Sequence, residues 1–406
     1  MKGMLNAHRL FTGNERRNGY LHNLKVADQQ EQALRKARDL IRRTLRDKLP
    51  LEQPTLKAHG FIDQAFLKEG RDLPLKPKFR MQGSAVYATL NDPAHKPPQE
   101  IDYDDGVFLP TSFLVHSNAR EPALAAKGYF RAVERVLEPL CEEQGWELVT
   151  TKNSCVRIAG VAPNAHIDVP LYAIPDEDFS ELTEAAQAEI KKSLAAGMAF
   201  DDVSFSEPVF RQLREDHIML ATREKGWLES DPRKIEDWFL EAIKDHGESL
   251  RRVCRYLKGW RDYNWHESKL SSLSLMACVV QIYEDFMGAP PKNRDDLTLL
   301  LVAEKLSERL SQPIENPVLD QYLDSDWSES ERAQFVAGAR QLYQKLQQAL
   351  QQTAHKGLAI QHMREVFGPR IPEAEELLDN ESEEARVYTY EPRRVSAPIV
   401  PRTTSG

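Results

Sequence analysis

The stretch EIDYDDGVFLP (100–110) constrains this chain more than any other. It reads as a strand, because β-branched and aromatic residues alternate with acidic ones up to a proline. Alternate side chains of a strand share a face, so Asp102 and Asp104 stand together on one side and Tyr103 and Asp105 on the other. Two carboxylates about 4 Å apart at an effective dielectric near 20 repel by roughly 4 kcal/mol. Such a pair therefore asks for a cation or a proton. A third carboxylate, Asp168, lies in HIDVPLY between Ile167, Val169 and Leu171, a pattern for a buried strand with no lysine or arginine nearby along the chain. Three acidic groups on adjacent strands suit two Mg2+ ions, one activating an attacking hydroxyl and one bridging phosphate oxygens.

Around this nucleus the pattern is α+β. The spacing of Ala33, Ala37, Leu40, Ile41 and Leu45 predicts a helix over 28–49, with Asp28 and Glu31 as a capping box, and a second helix is expected at 54–67. Strand-like segments follow at 79–90, 100–110, 146–152, 154–160 and 165–175, with one helix over 121–144 packing on the resulting mixed sheet. From about 207 the pattern is almost entirely helical: 231–245, 248–263, 271–287, 294–310, 328–352 and a short helix within 357–378. The expected division is a strand-bearing lobe with an N-terminal helix at 1–206, a helical lobe at 207–378 and a flexible, acidic then proline-rich tail at 379–406. A cleft is expected between the two lobes.

Composition removes several function classes. With 41% hydrophobic and 29% charged residues among 406, the chain reads as a folded protein with a well-solvated surface. No apolar run approaches the roughly 18 residues of a membrane helix, and the N-terminus lacks the apolar core of a signal peptide, so a cytoplasmic protein without membrane contact is expected. A net charge of -9 disfavours stable nucleic-acid binding through phosphate neutralisation. The cysteines Cys141, Cys155, Cys254 and Cys278 form no CxxC pair and read as reduced, mostly buried thiols.

Gly83-Ser84 follows FRMQ and precedes AVYATL, where glycine admits close backbone approach to a phosphate while the serine hydroxyl and the amides donate hydrogen bonds. The order Gly-Ser, then Asp-x-Asp, then a single Asp beyond a helix and two strands is the nucleotidyltransferase signature of the polymerase-β type. With MQGSAVYATLN, EIDYDDGVFLP, CVRIAGVAPNAHIDVPLYAIP, WLESDPRKIEDWF, RRVCRYLKGWRD and LSSLSLMA, the chain resembles the bacterial cGAS/DncV-like nucleotidyltransferases, in the branch of the cyclic GMP-AMP synthases. The likeness runs from about 79 to 287, and the motifs are specific in combination.

The resemblance implies a polymerase-β-like core with a C-terminal helical bundle. It assigns Asp102, Asp104 and Asp168 to Mg2+, and Gly83 and Ser84 to the donor triphosphate. Gln82 and Tyr87 match positions lining the nucleotide pocket, although Tyr87 serves equally as an aromatic of the sheet core. Arg157 matches a nucleotide contact or, more simply, a surface strand charge. Ser230 and Asp231 match a pair that reads a base edge, while Ser-Asp-Pro is also an ordinary helix start. Lys258 matches a phosphate-contacting lysine with Ser272 beside it, on a helix where Arg251, Arg255, Lys258 and Arg261 form a basic stripe. Arg80-Met81 depart from the bulkier aromatic character of the branch.

The implied reaction is attack of a ribose hydroxyl on the α-phosphorus of a second nucleotide, giving a linear and then a cyclic dinucleotide. The resemblance points to ATP and GTP as substrates and to 3',3'-cyclic GMP-AMP as a messenger of anti-phage defence (CBASS). It also implies conjugation through the C-terminal Gly406 by a ubiquitin-transfer-like operon partner. The rival readings are a template-independent RNA-tailing nucleotidyltransferase and a nucleotide-binding regulator without catalysis.

Overall fold

Side-chain alternation and a tight register organise the sheet around the acidic strand. The computed structural model describes residues 5–52, 77–111, 122–175, 177–182, 184, 218–286 and 291–380. The chain opens with β1 (Leu5–Asn6), α1 (His8–Thr12), α2 (Tyr20–Asn23) and the long α3 (Asp28–Lys48). Then come β2 (Lys78–Gln82), β3 (Ile101–Pro110), α4 (Pro122–Gln144), β4 (Glu147–Val149), β5 (Cys155–Ala162), β6 (Ala165–Ile174), β7 (Met219–Thr222) and β8 (Gly226–Glu229). The helices α5 (Pro232–His246), α6 (Glu248–Asn264), α7 (Ser272–Phe286), α8 (Asp295–Leu310), α9 (Glu329–Gln347) and α10 (Lys356–Phe367) follow, and β9 (Asp379–Asn380) closes the described chain.

The mixed sheet runs in the order β2-β3-β6-β5-β4, and the hairpin β7-β8 joins the C-terminal half of β6. The expectation of an almost wholly helical chain after 207 is thus corrected: Met219–Thr222 and Gly226–Glu229 are strands. They sit there because Leu220 and Met219 pair with Tyr172 and Ala173 and extend the sheet once β5 has ended. The strand expected over 79–90 stops at Gln82, where Gly83 turns the chain with a positive φ of 69°.

One face of the sheet is covered by α3 and α4, whose Leu34, Ala37, Ile41 and Leu45, and Tyr129, Phe130, Val133 and Leu137, share a core with Ile101, Tyr103, Val107, Ile158 and Ile167. The expected capping box at α3 is absent. Ala27 is the N-cap without a side-chain bond, because Asp28 accepts from Lys25 at 3.1 Å and Glu31 from Arg35. At the other end, Arg42 of α3 donates twice to Asp105, at 2.6 and 2.5 Å, and both are buried. The rear carboxylate of the DxDD run is therefore a structural anchor.

The second core joins α5 to α10 with Leu5, Leu10, Phe11, Tyr20 and Leu24. The first residues of the chain therefore pack with the helical half and not with the sheet lobe to which 1–206 was assigned. The cause is aromatic: Phe11 and Tyr20 each pack against Tyr256 and Phe367, with ring centroids 5.1 to 5.9 Å apart. β1 pairs antiparallel with β9, which draws residues 379–380 of the expected tail into a short sheet. The expected helix at 54–67 and the tail beyond 380, Gly406 included, lie outside the described residues. All four cysteines are free and buried. Among the described residues no helix is long and apolar enough to cross a membrane.

Candidate active site

The parallel pairing of β3 with β6 sets Asp102 beside His166 and Asp104 beside Asp168. Period-two alternation then places all four side chains on one face. Gln82 pairs with Asp104 from the other side, so β2 delivers the Gly83-Ser84 turn directly onto that carboxylate. A Cβ at residue 83 would stand 2.0 Å from Asp104 Oδ2, so glycine is required here twice, for its positive φ and for the absent side chain.

Ligand atoms of Asp102, His166 and Asp168 lie within 4.8 Å of one another. Asp104 is raised well above the usual carboxylate range, first by burial and then by the charges of Asp102 and Asp168. Burial would raise Asp102 too, but the adjacent imidazole of His166, with Arg157 and Lys258, holds it below its ordinary value. His166 is itself raised, since the Asp102 carboxylate outweighs the lowering by burial. A face whose charges push one carboxylate toward protonation, and which gathers ligand atoms of Asp102, His166 and Asp168, fits a divalent cation. Asp102, Asp104 and Asp168 are the residues that would hold it.

Asp168 has no basic residue nearby along the chain, yet the fold supplies one. Arg157, directly across the β5-β6 ladder, donates to its two oxygens, each at 2.7 Å. Arg157 is therefore not a loose surface charge. Antiparallel register brings it to Asp168, and chain separation hides that pairing.

Two hollows meet at this face. The larger, about 440 Å³, is lined by Ser84, Asp102, His166, Lys258 and Ser272, among others. The smaller, about 190 Å³, is lined by Gln82, Tyr172, Ser230, Asp231, Val318 and Leu319, among others. Gly83, Tyr87, Asp104 and Ile235 belong to both and form the divide. Tyr87 thus stands between two hollows, with its ring 6.1 Å from that of Phe239. Asp231 caps α5 through Arg233 N and is clamped by the Arg233 guanidinium, while Ser230 next to it remains in the hollow wall.

The basic stripe of α6 is not solvated. Arg251 donates to the Tyr87 carbonyl at 3.1 Å and Lys258 to that of Thr89 at 2.7 Å, while Arg255 and Asn91 exchange bonds of 2.9 Å. Three cations of one helix thus hold residues 87, 89 and 91 of the segment that follows the Gly-Ser turn. Arg261 reaches Ser272 Oγ at 3.2 Å, placing that serine at the cleft with Lys258. Burial pushes Lys258 down to about 8, aided by Arg261.

Sequence reasoning missed Glu100, His166, Tyr172 and the Val318-Leu319 loop. Tyr172 donates to Gln82 Oε1 at 3.1 Å and so fixes a pocket residue. The histidine in HIDV had a legible signal, since it lies two positions before Asp168 and so on the same face. The loop carried none.

The fold and this face define a polymerase-β-type nucleotidyltransferase architecture. Two family models match the chain: cyclic GMP-AMP synthase DncV-like, nucleotidyltransferase domain, over 77–172, and cyclic GMP-AMP synthase, C-terminal domain, over 247–380. A cyclic GMP-AMP synthase of Escherichia coli (strain TW11681) is 34% identical over 317 residues, covering 74% of this chain and 69% of that protein. Another, from Escherichia coli, is 39% identical over 254 residues, covering 59% of this chain and 55% of that protein, so this match spans about half of the relative's length. A structure of a mutant Vibrio cholerae di-nucleotide cyclase (DncV) in complex with ATP and GTP is similar with a TM-score of 0.75 at 26% identity, covering 93% of this chain and 100% of that one. The chain belongs to the DncV-like cyclic GMP-AMP synthase family.

Proposed function

We propose that this protein is a cyclic dinucleotide synthase that joins two nucleoside triphosphates, ATP and GTP, into 3',3'-cyclic GMP-AMP by Mg2+-dependent nucleotidyl transfer. The observation that carries this reading is the metal-fitting face at the divide between two hollows, one on each side of Asp104. The divalent ions would supply positive charge to the phosphates and to the attacking hydroxyl. Gly83 and Ser84 would grip the donor triphosphate, and Lys258 and Ser272 would meet phosphates in the larger hollow. Tyr87 and Gln82 would contact the nucleotides at the divide, and Ser230 with Asp231 would face a base. The ribose 3'-oxygen attacks the α-phosphorus, the bond to the β-phosphate breaks and pyrophosphate leaves. The linear product then turns over, and the same face closes the ring. Arg157, bonded to Asp168, serves the site by orienting a carboxylate.

The test is incubation of the purified protein with Mg2+ and labelled ATP, GTP, CTP and UTP, singly and in pairs, with phosphatase-resistant products resolved by mass spectrometry. A cyclic product abolished in Asp102→Asn/Asp104→Asn supports the reading. Ladders on added RNA, or no product under any pairing, would overturn it. The proposal extends to a messenger role in anti-phage defence in the cytoplasm, and to conjugation through Gly406 by a ubiquitin-transfer-like partner. Intact-mass measurement after co-expression with such an enzyme checks the latter: absence of a Gly406-dependent isopeptide species would sink it.

A further inference from the structure

The acidic face contains a nitrogen ligand that the Asp-x-Asp signature does not require. His166 is 5% exposed and stands opposite Asp102 in the β3-β6 ladder. Its Nδ1 lies 2.6 Å from Glu100 Oε2. Its Nε2 is paired with Asp102 Oδ1 at 3.0 Å, and ligand atoms of both lie within 4.8 Å of one on Asp168. An imidazole with one nitrogen held by a carboxylate and the other grouped with two more carboxylates is the arrangement of a metal-binding histidine and its orienting acid. The 3.0 Å between Nε2 and Oδ1 is also the spacing of two adjacent ligands at about 2.1 Å from one octahedral ion.

We infer that His166 Nε2 is a direct ligand of a divalent ion shared with Asp102 and Asp168, that Glu100 positions the ring, and that this site takes Mn2+ in preference to Mg2+. The inference rests on the reading of this face as a metal site. Carboxylates accept Mg2+ and Mn2+ alike, whereas imidazole nitrogen is a ligand for first-row transition ions and a poor one for Mg2+. Mn2+ satisfies both donor types. Arg157 bonds to each Asp168 oxygen but leaves each a further lone pair for the ion. Glu100 lines the same hollow and is bonded to the ring's Nδ1. Its part is to fix which ring nitrogen points inward.

The experiment is pulsed EPR of the full chain loaded with one equivalent of Mn2+, alone and with a non-hydrolysable ATP analogue, using natural-abundance and 15N-histidine protein. The expected result is a nitrogen modulation from a directly bound imidazole that changes with the isotope and is absent in His166→Gln. In titrations, Mg2+ should displace Mn2+ from the parent protein only at about a hundredfold excess. His166→Gln should lose at least tenfold in Mn2+ affinity with little change for Mg2+, and Glu100→Gln should fall between the two. Bound Mn2+ without a histidine modulation, a modulation that persists in His166→Gln, or no Mn2+ binding in either arm would overturn the inference. A histidine modulation in a protein that makes no cyclic product would leave His166 as a ligand and refute only the synthase reading. Product without the modulation would do the reverse.

Discussion

Gly83 shows how narrowly one position is determined. The positive φ alone costs an L-residue roughly 1–2 kcal/mol, and the place of a Cβ is already taken by the Asp104 carboxylate. Gly83→Ala should therefore leave a folded protein, melting a few degrees lower, whose synthesis falls by about a hundredfold or more because Asp104 is displaced. Paired thermal melts and product assays check this. Lys258 carries a different signature. Its folded value of about 8 lies below that of an unfolded lysine. Between about pH 8 and 10.5 the unfolded chain therefore holds the extra proton. The stability associated with this group is complete above that window and is lost as pH falls through 8. Lys258→Met should consequently be more resistant to urea than the parent at pH 7, with the advantage shrinking toward pH 10. A constant difference across that range would contradict the assignment.

The helix α6 acts on the site through what it holds. Arg251 and Lys258 bond main-chain carbonyls, and Arg255 exchanges bonds with the Asn91 side chain, so the segment 87–91 is fastened every second residue. Arg251→Ala should raise the KM for nucleotide several-fold, since Tyr87 at the divide loses its main-chain anchor, while the melting temperature moves little. The stripe was visible in the sequence, but its role was not: i, i+4 and i+7 spacing shows a common face and says nothing of what covers it. The same holds for Asp168. Its burial was readable from Ile167 and Val169, whereas its partner Arg157 emerged only from the register of β5 against β6.

Buried ion pairs act both between the two cores and within one of them. Arg80 of β2 donates to Glu236 of α5 at 2.6 Å with both side chains buried, and Arg42 of α3 clamps Asp105 of β3 within the sheet core, behind the acidic face. Removing one partner of a buried pair typically costs about 3–5 kcal/mol, while replacing both by apolar groups is often neutral. Asp105→Leu should therefore lower the unfolding free energy by about 3 kcal/mol or more, and Arg42→Leu/Asp105→Leu should recover most of it. Denaturant titration of the single and double variants measures the coupling. The N-terminal residues extend the same lesson. Phe11 and Tyr20 sit in the helical core although α3, which follows them, belongs to the sheet lobe. The chain thus crosses between lobes near its beginning, and a division by sequence position alone misplaces its first residues.

What was legible in the chain was local. Period-two alternation put Asp102 and Asp104 on one face, an apolar run buried Asp168, Gly-Ser marked a turn, and 3.6-residue spacing found most helices, because each of these follows from neighbouring residues and the geometry of one element. What the folded molecule settled was which elements lie side by side. His166 faces Asp102, Arg157 holds Asp168, α6 fastens the 87–91 segment, and the 318–319 loop closes a hollow. Those pairings are chosen by packing the two cores and by strand register, energies summed over residues far apart in sequence, and no single segment carries enough of that sum to reveal its partner.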